Sequence, residues 1–446
     1  MAPQILQQIE ILLNLFIPCF KQKRTFRYLE EFFKGIIMTG RKTVTRIFLT
    51  TDRRRHFTNY YRFLKTYKWK ILDLAIKLLM LIQNSFEPLV DKDGVYASNI
   101  FIALDSTFAK KSGKKFDGAD IFHDHSSGKN KAKYVWGHCI FVLGVLYRIP
   151  TLGPLCLPFL ASIYFRDATI KRQKLDEKFV KMLEKAVNMV ISVKDCCKKP
   201  ITVVADAFFS KKPFFKPLFE KGIFVLSRMR HDAVAYRPAL PKKEKTRGRK
   251  RKYGEKVKLK KLLDTEPLCA MNIKSGKKTK EIKYVMKDFL LRGYPGFVRF
   301  LVIKDKIPVI LMTTNLTLCA KDMLEVYRCR FQIEFSFRDL KQHLGFEDYQ
   351  VRRKTAICKF LNITLLVYSI LKIVFATNQS VRKTVENSLD QPWRCSLPIF
   401  SLEHLLSIVR EEFFIQRFFD TSGFRPKEEK IPDFLNNMEF IIPLKR

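Results

Sequence analysis

Acidic residues are scarce in this chain. It has 43 Asp and Glu against 84 Lys and Arg, which gives a formal net charge of +41 at pH 7. Such an excess disfavours a compact protein unless a polyanion relieves the repulsion. We therefore expect nucleic acid as the partner, because neutralising its phosphates releases counterions. The alternative, an anionic membrane surface, requires a basic amphipathic terminal helix or a lipid anchor, and we identify no convincing one.

Metal-binding cysteine motifs are also missing. The ten cysteines include one adjacent pair, Cys196 and Cys197, and no CxxC. This spacing argues against zinc ribbons and disulfide frameworks and favours reduced thiols. The N-terminal sequence lacks a basic n-region and contains Glu10, so it does not read as a secretory signal. We expect a cytoplasmic, nucleoid-associated protein.

An uninterrupted membrane span is absent as well. The most apolar stretch, residues 356–376, is broken by Lys359, Asn362 and Lys372. We predict a packed core helix there, and no membrane partner.

The composition is otherwise that of a folded protein, with 47% hydrophobic and 13% aromatic residues. Residues 1–95 are predicted to be helical, and basic residues alternate with aromatic ones between Arg41 and Trp69. This pattern suits contact with DNA phosphates and bases. It also suits a helical bundle whose aromatic residues form the core. Further along, strands alternate with helices, which predicts an α/β fold with a mixed sheet.

Two apolar runs end in aspartate. Residues 101–104 precede Asp105, and residues 201–205 precede Asp206. Each run predicts a buried strand with a carboxylate at its end, where ligand sites gather in such folds. Aspartate at a strand end is, however, also a common turn residue.

A third acidic residue lies in residues 327–341, YRCRFQIEFSFRDLK. As one continuous helix, this stretch places Tyr327, Arg330, Glu334 and Lys341 within a sector of roughly 60°. Apolar residues border the sector on both sides, so we predict a cleft wall and not a solvated face. The alternative is a half-buried stripe of ion pairs such as Arg330 with Glu334.

Three converging carboxylates would repel one another, so we predict that Asp105, Asp206 and Glu334 bind Mg²⁺ or Mn²⁺. Two such ions can activate a water or a DNA 3′-hydroxyl and stabilise the leaving oxygen. Arg330 and Lys341 would bind phosphates, and Tyr327 would bond a phosphate or stack on a sugar or base.

A strongly basic segment follows the second aspartate. Residues 242–261 contain twelve Lys or Arg and two Glu. Such a segment cannot be core, and we predict a solvated loop or a nucleic-acid arm in which Arg247 and Arg249 can enter a minor groove.

These motifs resemble those of a family. The spacing of Tyr327, Arg330, Glu334 and Lys341 matches the Y-R-E-K signature of a group of bacterial insertion-sequence DDE transposases, and Asp105 and Asp206 occur in the right order before it. The local sequences LDSTFAKKSGKKFDG and VVADAFFSKKPFF resemble the first two acidic blocks of that group. The resemblance covers roughly residues 98–345.

The resemblance implies an RNase H-like catalytic core in which Asp105, Asp206 and Glu334 hold two metal ions. It also implies strand cleavage and strand transfer on double-stranded DNA, at terminal inverted repeats and a target, by at least a homodimer. The domains would be a helical, basic DNA-binding region at 1–95, a core at 96–235 and 297–376, a basic, mainly β insertion at 236–296, and a helical C-terminal region at 377–446.

The chain departs from the family pattern at two points. Ser106 stands where many members have a second aspartate, and no tryptophan lies in 236–296. A repurposed or inactive DNA-binding derivative and a nuclease that cleaves without joining are the alternatives.

Overall fold

The N-terminal part of the computed structural model is helical, and the structure describes residues 4–53, 55–124, 132–240, 251–275, 278–387 and 401–422. The first helices are α1 (Gln4–Asn14), α2 (Lys23–Met38), α3 (Val44–Leu49), α4 (Thr58–Lys65), α5 (Ile71–Phe86) and α6 (Val95–Ser98). The rings of Tyr60, Phe63 and Trp69 are buried among them, so these aromatic residues form core. Arg41 and Arg46 are exposed.

Strands and helices then alternate. They are β1 (Ile100–Lys110), β2 (Asp120–His123), β3 (Tyr134–Ile149), β4 (Gly153–Tyr164), α7 (Asp167–Gln173), α8 (Met182–Ile191), β5 (Ile201–Ala205), α9 (Lys212–Glu220) and β6 (Phe224–Arg228). Apolar residues recur at helical spacing from about Lys171 to Val193, which predicts one helix there, and this is wrong. The chain forms α7 and α8 with a non-helical segment between them.

Five of these strands form the sheet that carries two of the acidic residues. Their order is β4-β3-β1-β5-β6. Strands β1, β5 and β6 are parallel, and β3 is antiparallel to both β1 and β4. A mixed sheet of this kind fits an RNase H-like core.

The next strands extend the same sheet. They are β7 (Val234–Pro238) and β8 (Tyr253–Lys258), then, after α10 (Leu262–Thr265), β9 (Cys269–Ser275), β10 (Lys278–Leu290), β11 (Phe297–Ile303) and β12 (Val309–Thr313). Beyond β6 the order is β12-β11-β10-β7-β8, with β9 paired to β10. The strands of residues 236–296 therefore continue the sheet of the core.

The last part is again helical, with α11 (Ala320–Cys329), α12 (Gln332–Gln342), α13 (Lys354–Thr377), α14 (Gln379–Asn387) and α15 (Leu402–Ser422). Helix α15 packs against α1 and α2. The Glu412 carboxylate accepts the Leu6 N–H at 3.1 Å, and Arg410 Nε donates to the Ile37 carbonyl at 2.7 Å. The C-terminal helix α15 is therefore docked on the N-terminal helices.

Helix α13 is the one helix of the described chain that is long and apolar enough to cross a bilayer, and 94% of its most apolar window is buried inside the protein. It packs on β4, α5, α2 and α4. Such burial is typical of a core helix.

Three polar residues of α13 form hydrogen bonds with the backbone of β4. The outer edge of β4 has no partner strand beside Ala161 among the described residues. Asn362 Oδ1 accepts the Ala161 N–H and Asn362 Nδ2 donates to the Ala161 carbonyl, both at 2.9 Å. Ser369 Oγ donates to the Pro158 carbonyl at 2.7 Å, and Lys372 Nζ lies 3.3 Å from the Cys156 carbonyl. Asn362 and Lys372, two of the residues that interrupt the apolar run, therefore satisfy a strand edge that would otherwise be buried without hydrogen bonds. The third, Lys359, donates to the Tyr67 carbonyl instead, at 2.6 Å.

Replacing Asn362 with Leu is expected to lower the free energy of unfolding by about 2–4 kcal/mol, because the Ala161 N–H and carbonyl would both be buried without partners. Thr364→Val is the matched control, since the Thr364 hydroxyl bonds only the Phe360 carbonyl of its own helix among the described contacts; we expect it to cost under about 1 kcal/mol. Urea unfolding of both variants measures the difference, and equal losses would contradict the edge-satisfying role.

Candidate catalytic site

Asp105 lies within a strand and not at its end, so the prediction that the strand stops before it is wrong. Strand β1 runs on to Lys110 because β3 continues to pair with it, with Asp105 opposite Val142. The parallel pairing with β5 stops earlier, at Ala103 and Val204. Asp105 therefore lies just past the point where β1 and β5 separate, and its side chain is 19% exposed.

Asp206 directly follows β5, as the sequence predicts. Its Oδ1 accepts the Phe208 N–H at 3.0 Å and so caps the 3₁₀ turn Ala207–Phe209. The parallel β1–β5 pairing ends at Ala103 and Val204, two residues before each aspartate, and the charge of Asp206 acts on Asp105. Two neighbouring parallel strands thus deliver the first two carboxylates at one edge.

The third carboxylate comes from a helix that the sequence predicts incorrectly. Residues 327–341 are not one continuous helix: α11 ends at Cys329 and α12 begins at Gln332. At the junction, the N–H groups of Ile333 and Glu334 bond the carbonyls three residues earlier, at 3.0 and 3.1 Å. Tyr327 therefore belongs to α11, whereas Glu334 and Lys341 belong to α12.

Arg330 lies at this junction and joins two of the acids. Its Nη1 is 3.0 Å from Asp105 Oδ2, and its Nη2 is 2.9 Å from Glu334 Oε1. Its side chain is 13% exposed, and Glu334 is 41% exposed. The ion pair between Arg330 and Glu334, the alternative interpretation of the helix, is therefore present, and Asp105 joins it to form a site.

One of the three guanidinium nitrogens has no described partner. Arg330 Nε is buried and has no hydrogen-bond partner within the described part of the chain. The Arg330 Cζ lies 5.8 Å from the centre of the Tyr327 ring. A buried donor without an acceptor is unfavourable, and an anionic ligand entering here would satisfy it.

The charges around Asp105 act against one another. Burial raises its pKa to about 6; the Arg330 charge and the Ser106 N–H oppose this, and the negative charges of Asp206 and Glu334 add to it. Burial also raises the pKa of Tyr327, against the positive charges of Arg330 and Arg228. All three acids therefore share one electrostatic environment, and Arg228, the last residue of β6, belongs to it too.

The helical spacing predicts Lys341 on the same face as Arg330 and Glu334, but its described contacts are with other residues. Its Nζ donates to the Phe108 carbonyl at 2.7 Å and lies 2.7 Å from Glu347 Oε1. These contacts fasten the end of α12 to β1. The sequence gives no local signal for them, because Glu347 lies beyond the helix. Arg247 and Arg249 lie outside the described residues.

The fit of a metal ion depends on Arg330. Carboxylate oxygens are the ligands that Mg²⁺ and Mn²⁺ prefer, so the donor types of Asp105, Asp206 and Glu334 suit such an ion. Yet no group of three or more His, Cys, Asp or Glu side chains in the described ranges is arranged to hold a metal. The Arg330 guanidinium supplies the positive charge between Asp105 and Glu334. Asp105, Asp206 and Glu334 could therefore bind divalent ions together only after Arg330 releases Asp105, Glu334 or both.

The comparisons with known proteins identify a family. The family model described as "DDE superfamily endonuclease" matches residues 15–281, more than half of the chain. The matched region contains Asp105 and Asp206 and ends before Glu334. No curated protein matches the chain.

The raised pKa of Asp105 predicts a pH dependence of stability. Because the folded value, about 6, lies above the ordinary 3.8, the native state binds more protons than the unfolded state between these values. Stability therefore falls as the pH rises through this window. Relative to the Asp105→Asn variant, the free energy of unfolding of the metal-free wild type should fall by up to about 3 kcal/mol between about pH 4 and pH 7. Urea unfolding in a chelator measures this loss, and parallel curves for the two proteins would contradict it.

Proposed function

Because the chain belongs to the DDE superfamily endonucleases, we propose that it is a DDE transposase of the Y-R-E-K insertion-sequence group, which cleaves DNA at element ends and transfers the strands to a target. The observation that carries this proposal is the joining of Asp105 and Glu334 by Arg330, with Asp206 close enough to Asp105 for its charge to raise the pKa of Asp105. A structural ion pair alone would not require a third acid at the same sheet edge.

Asp105, Asp206 and Glu334 would hold the divalent ions, Mg²⁺ or Mn²⁺, two in number. When bound, such ions supply an activated water or 3′-hydroxyl and stabilise the leaving oxygen of the phosphodiester. Glu334 is the most exposed member of the Arg330 pair, so its carboxylate can exchange partners with the least rearrangement. Asp105 is held by the sheet and keeps its position.

Arg330 would then bind DNA. Once it releases the carboxylates, the guanidinium presents its planar donors, including the unpartnered Nε, to a phosphate. Tyr327 borders the same guanidinium and can bond the phosphate or stack on a sugar or base. The ammonium of Lys341 has three N–H donors and two described acceptors, which leaves one donor for a phosphate. Arg247 and Arg249 would contact DNA from the basic insertion.

A second DNA surface would lie on the N-terminal helices. An open cavity of about 530 Å³ is lined by Gly40, Arg41, Thr43, Thr45, Arg46 and Gln350. Two guanidinium groups and two hydroxyls without an acidic neighbour in the lining suit a phosphate backbone. The backbone N–H of Lys42 donates to Asp348 Oδ2 at 2.9 Å, which joins this surface to the segment that follows α12.

The wider proposal concerns partners. The DNA would be the terminal inverted repeats and the target duplex, held by a homodimer in the cytoplasm at the nucleoid, where a protein of charge +41 would meet its polyanion. A nuclease that cleaves without joining is the second candidate, favoured by the family description, which specifies an endonuclease. A strand-transfer assay with a pre-cleaved end separates the two.

Glu334→Gln is expected to reduce the rate of Mg²⁺-dependent cleavage of the element ends at least about a hundredfold, while DNA binding is retained. The amide keeps the side-chain shape and a hydrogen-bond acceptor but loses the charge that binds metal. Gel-shift and cleavage assays on DNA carrying the sequences that flank the gene make the measurement. Loss of binding with cleavage per bound complex unchanged would assign Glu334 a structural role.

Replacing Arg41 and Arg46 with Ala is expected to reduce the slope of log K against log salt for duplex DNA by about 2 units, because each guanidinium that neutralises a phosphate contributes about one unit. The charge-matched control is Lys21→Ala with Lys23→Ala, which removes two exposed cations of the same region. An Arg41 and Arg46 variant whose slope equals that of the control would contradict phosphate binding in the cavity.

A further inference from the structure

A buried polar network joins the middle of α12 to α13 and β4. The Tyr368 hydroxyl lies 3.2 Å from Ser336 Oγ and 3.4 Å from Asp339 Oδ2. Ser336 Oγ in turn lies 3.0 Å from the Gln332 carbonyl of its own helix and 3.4 Å from the Cys156 carbonyl of β4. Ser336 and Tyr368 are fully buried, so water does not compete for these groups.

Lys372 completes the network from one turn further along α13. Its Nζ lies 3.3 Å from the same Cys156 carbonyl and 4.8 Å from the centre of the Tyr368 ring. Burial lowers the pKa of Lys372 to about 8, and the negative charge of Asp339 opposes this shift. The network thus has an acid on α12 and a base on α13, both facing Tyr368.

The network holds the side of α12 that faces away from the acids. At about 100° per residue, Ser336 points roughly 200° from Glu334, and Asp339 roughly 140°. A fixed position for Ser336 and Asp339 against α13 therefore fixes the direction in which Glu334 points. Apolar neighbours alone would restrain this rotation less, because they lack directional bonds.

Apolar side chains of α12 pack on β4 along the helix, and two further described polar contacts lie at its ends. Arg330 joins the N-terminal end to Asp105, and Lys341 joins the C-terminal end to the Phe108 carbonyl. The first contact must break for Arg330 to release the acids. The central network does not involve Arg330. It can therefore keep the Glu334 side chain pointing in the same direction while Arg330 releases the acids.

We propose that Tyr368 is a positioning residue: its buried hydroxyl, with Ser336, Asp339 and Lys372, sets the rotation of α12 and directs Glu334 toward Asp105 and Asp206. The proposal rests on the proposed function for its effect on catalysis. Its structural part, the restraint of α12, is independent of any activity.

The test compares Tyr368→Phe with Ser369→Ala. Each variant removes one buried hydroxyl from α13, but Ser369 bonds the Pro158 carbonyl of β4 and has no described contact with α12. The first measurement is amide hydrogen exchange of residues 334–342 in the metal-free protein. The second is cleavage, separated into kcat and KM, together with the Mg²⁺ concentration at half-maximal rate. Ser336→Ala removes the same hydrogen bond from the α12 side and serves as a second variant if Tyr368→Phe folds poorly.

We expect Tyr368→Phe to speed exchange in residues 334–342 and to lower kcat about tenfold or more, with KM for DNA within about twofold of wild type. Ser369→Ala should leave both unchanged. Equal exchange in the two variants, or a loss only in KM, would overturn the proposal. Glu334→Gln in the same assay keeps the two claims apart: if it cleaves like wild type, the proposed function fails, and the exchange data still decide whether Tyr368 restrains α12.

Discussion

The arrangement of the site depends on the contact of one guanidinium with two carboxylates. Asp105 and Glu334 are far apart in the chain, and as neighbouring anions they would repel each other. Arg330 offsets that repulsion by pairing with both, at 3.0 and 2.9 Å. Arg330 lies at the junction of α11 and α12, one turn before Glu334, and its guanidinium reaches Asp105 of β1. The guanidinium thereby keeps the acids assembled without an ion.

The rest of the fold supplies rigid support for that contact. The parallel register of β1 and β5 brings Asp105 and Asp206 to one edge of the sheet. Helix α12 is held at both ends and at its centre, and α13 supports it from within the core. A site preorganised in this way needs little movement beyond that of the Arg330 side chain when its ligands arrive.

Local patterns in the sequence were sufficient to predict some of these features but not others. Apolar runs identified the strands before Asp105 and Asp206, and helical spacing identified the contact of Arg330 with Glu334. The continuation of β1 past Asp105 depends on its pairing with β3, which no local pattern contains. The helix break at Arg330, the Lys341 contact with Glu347 and the Asn362 contact with Ala161 likewise depend on residues distant in sequence. A polar residue in an apolar helix indicates a buried partner but does not identify it.

We infer that Arg330 stands in for divalent metal among Asp105, Asp206 and Glu334. Anomalous diffraction from crystals of the protein soaked in Mn²⁺ is the sharpest test of this inference. We expect anomalous density at the carboxylate oxygens of these three residues, with Arg330 displaced from at least one of them. Manganese bound elsewhere, or none bound while Arg330 still joins Asp105 to Glu334, would contradict it.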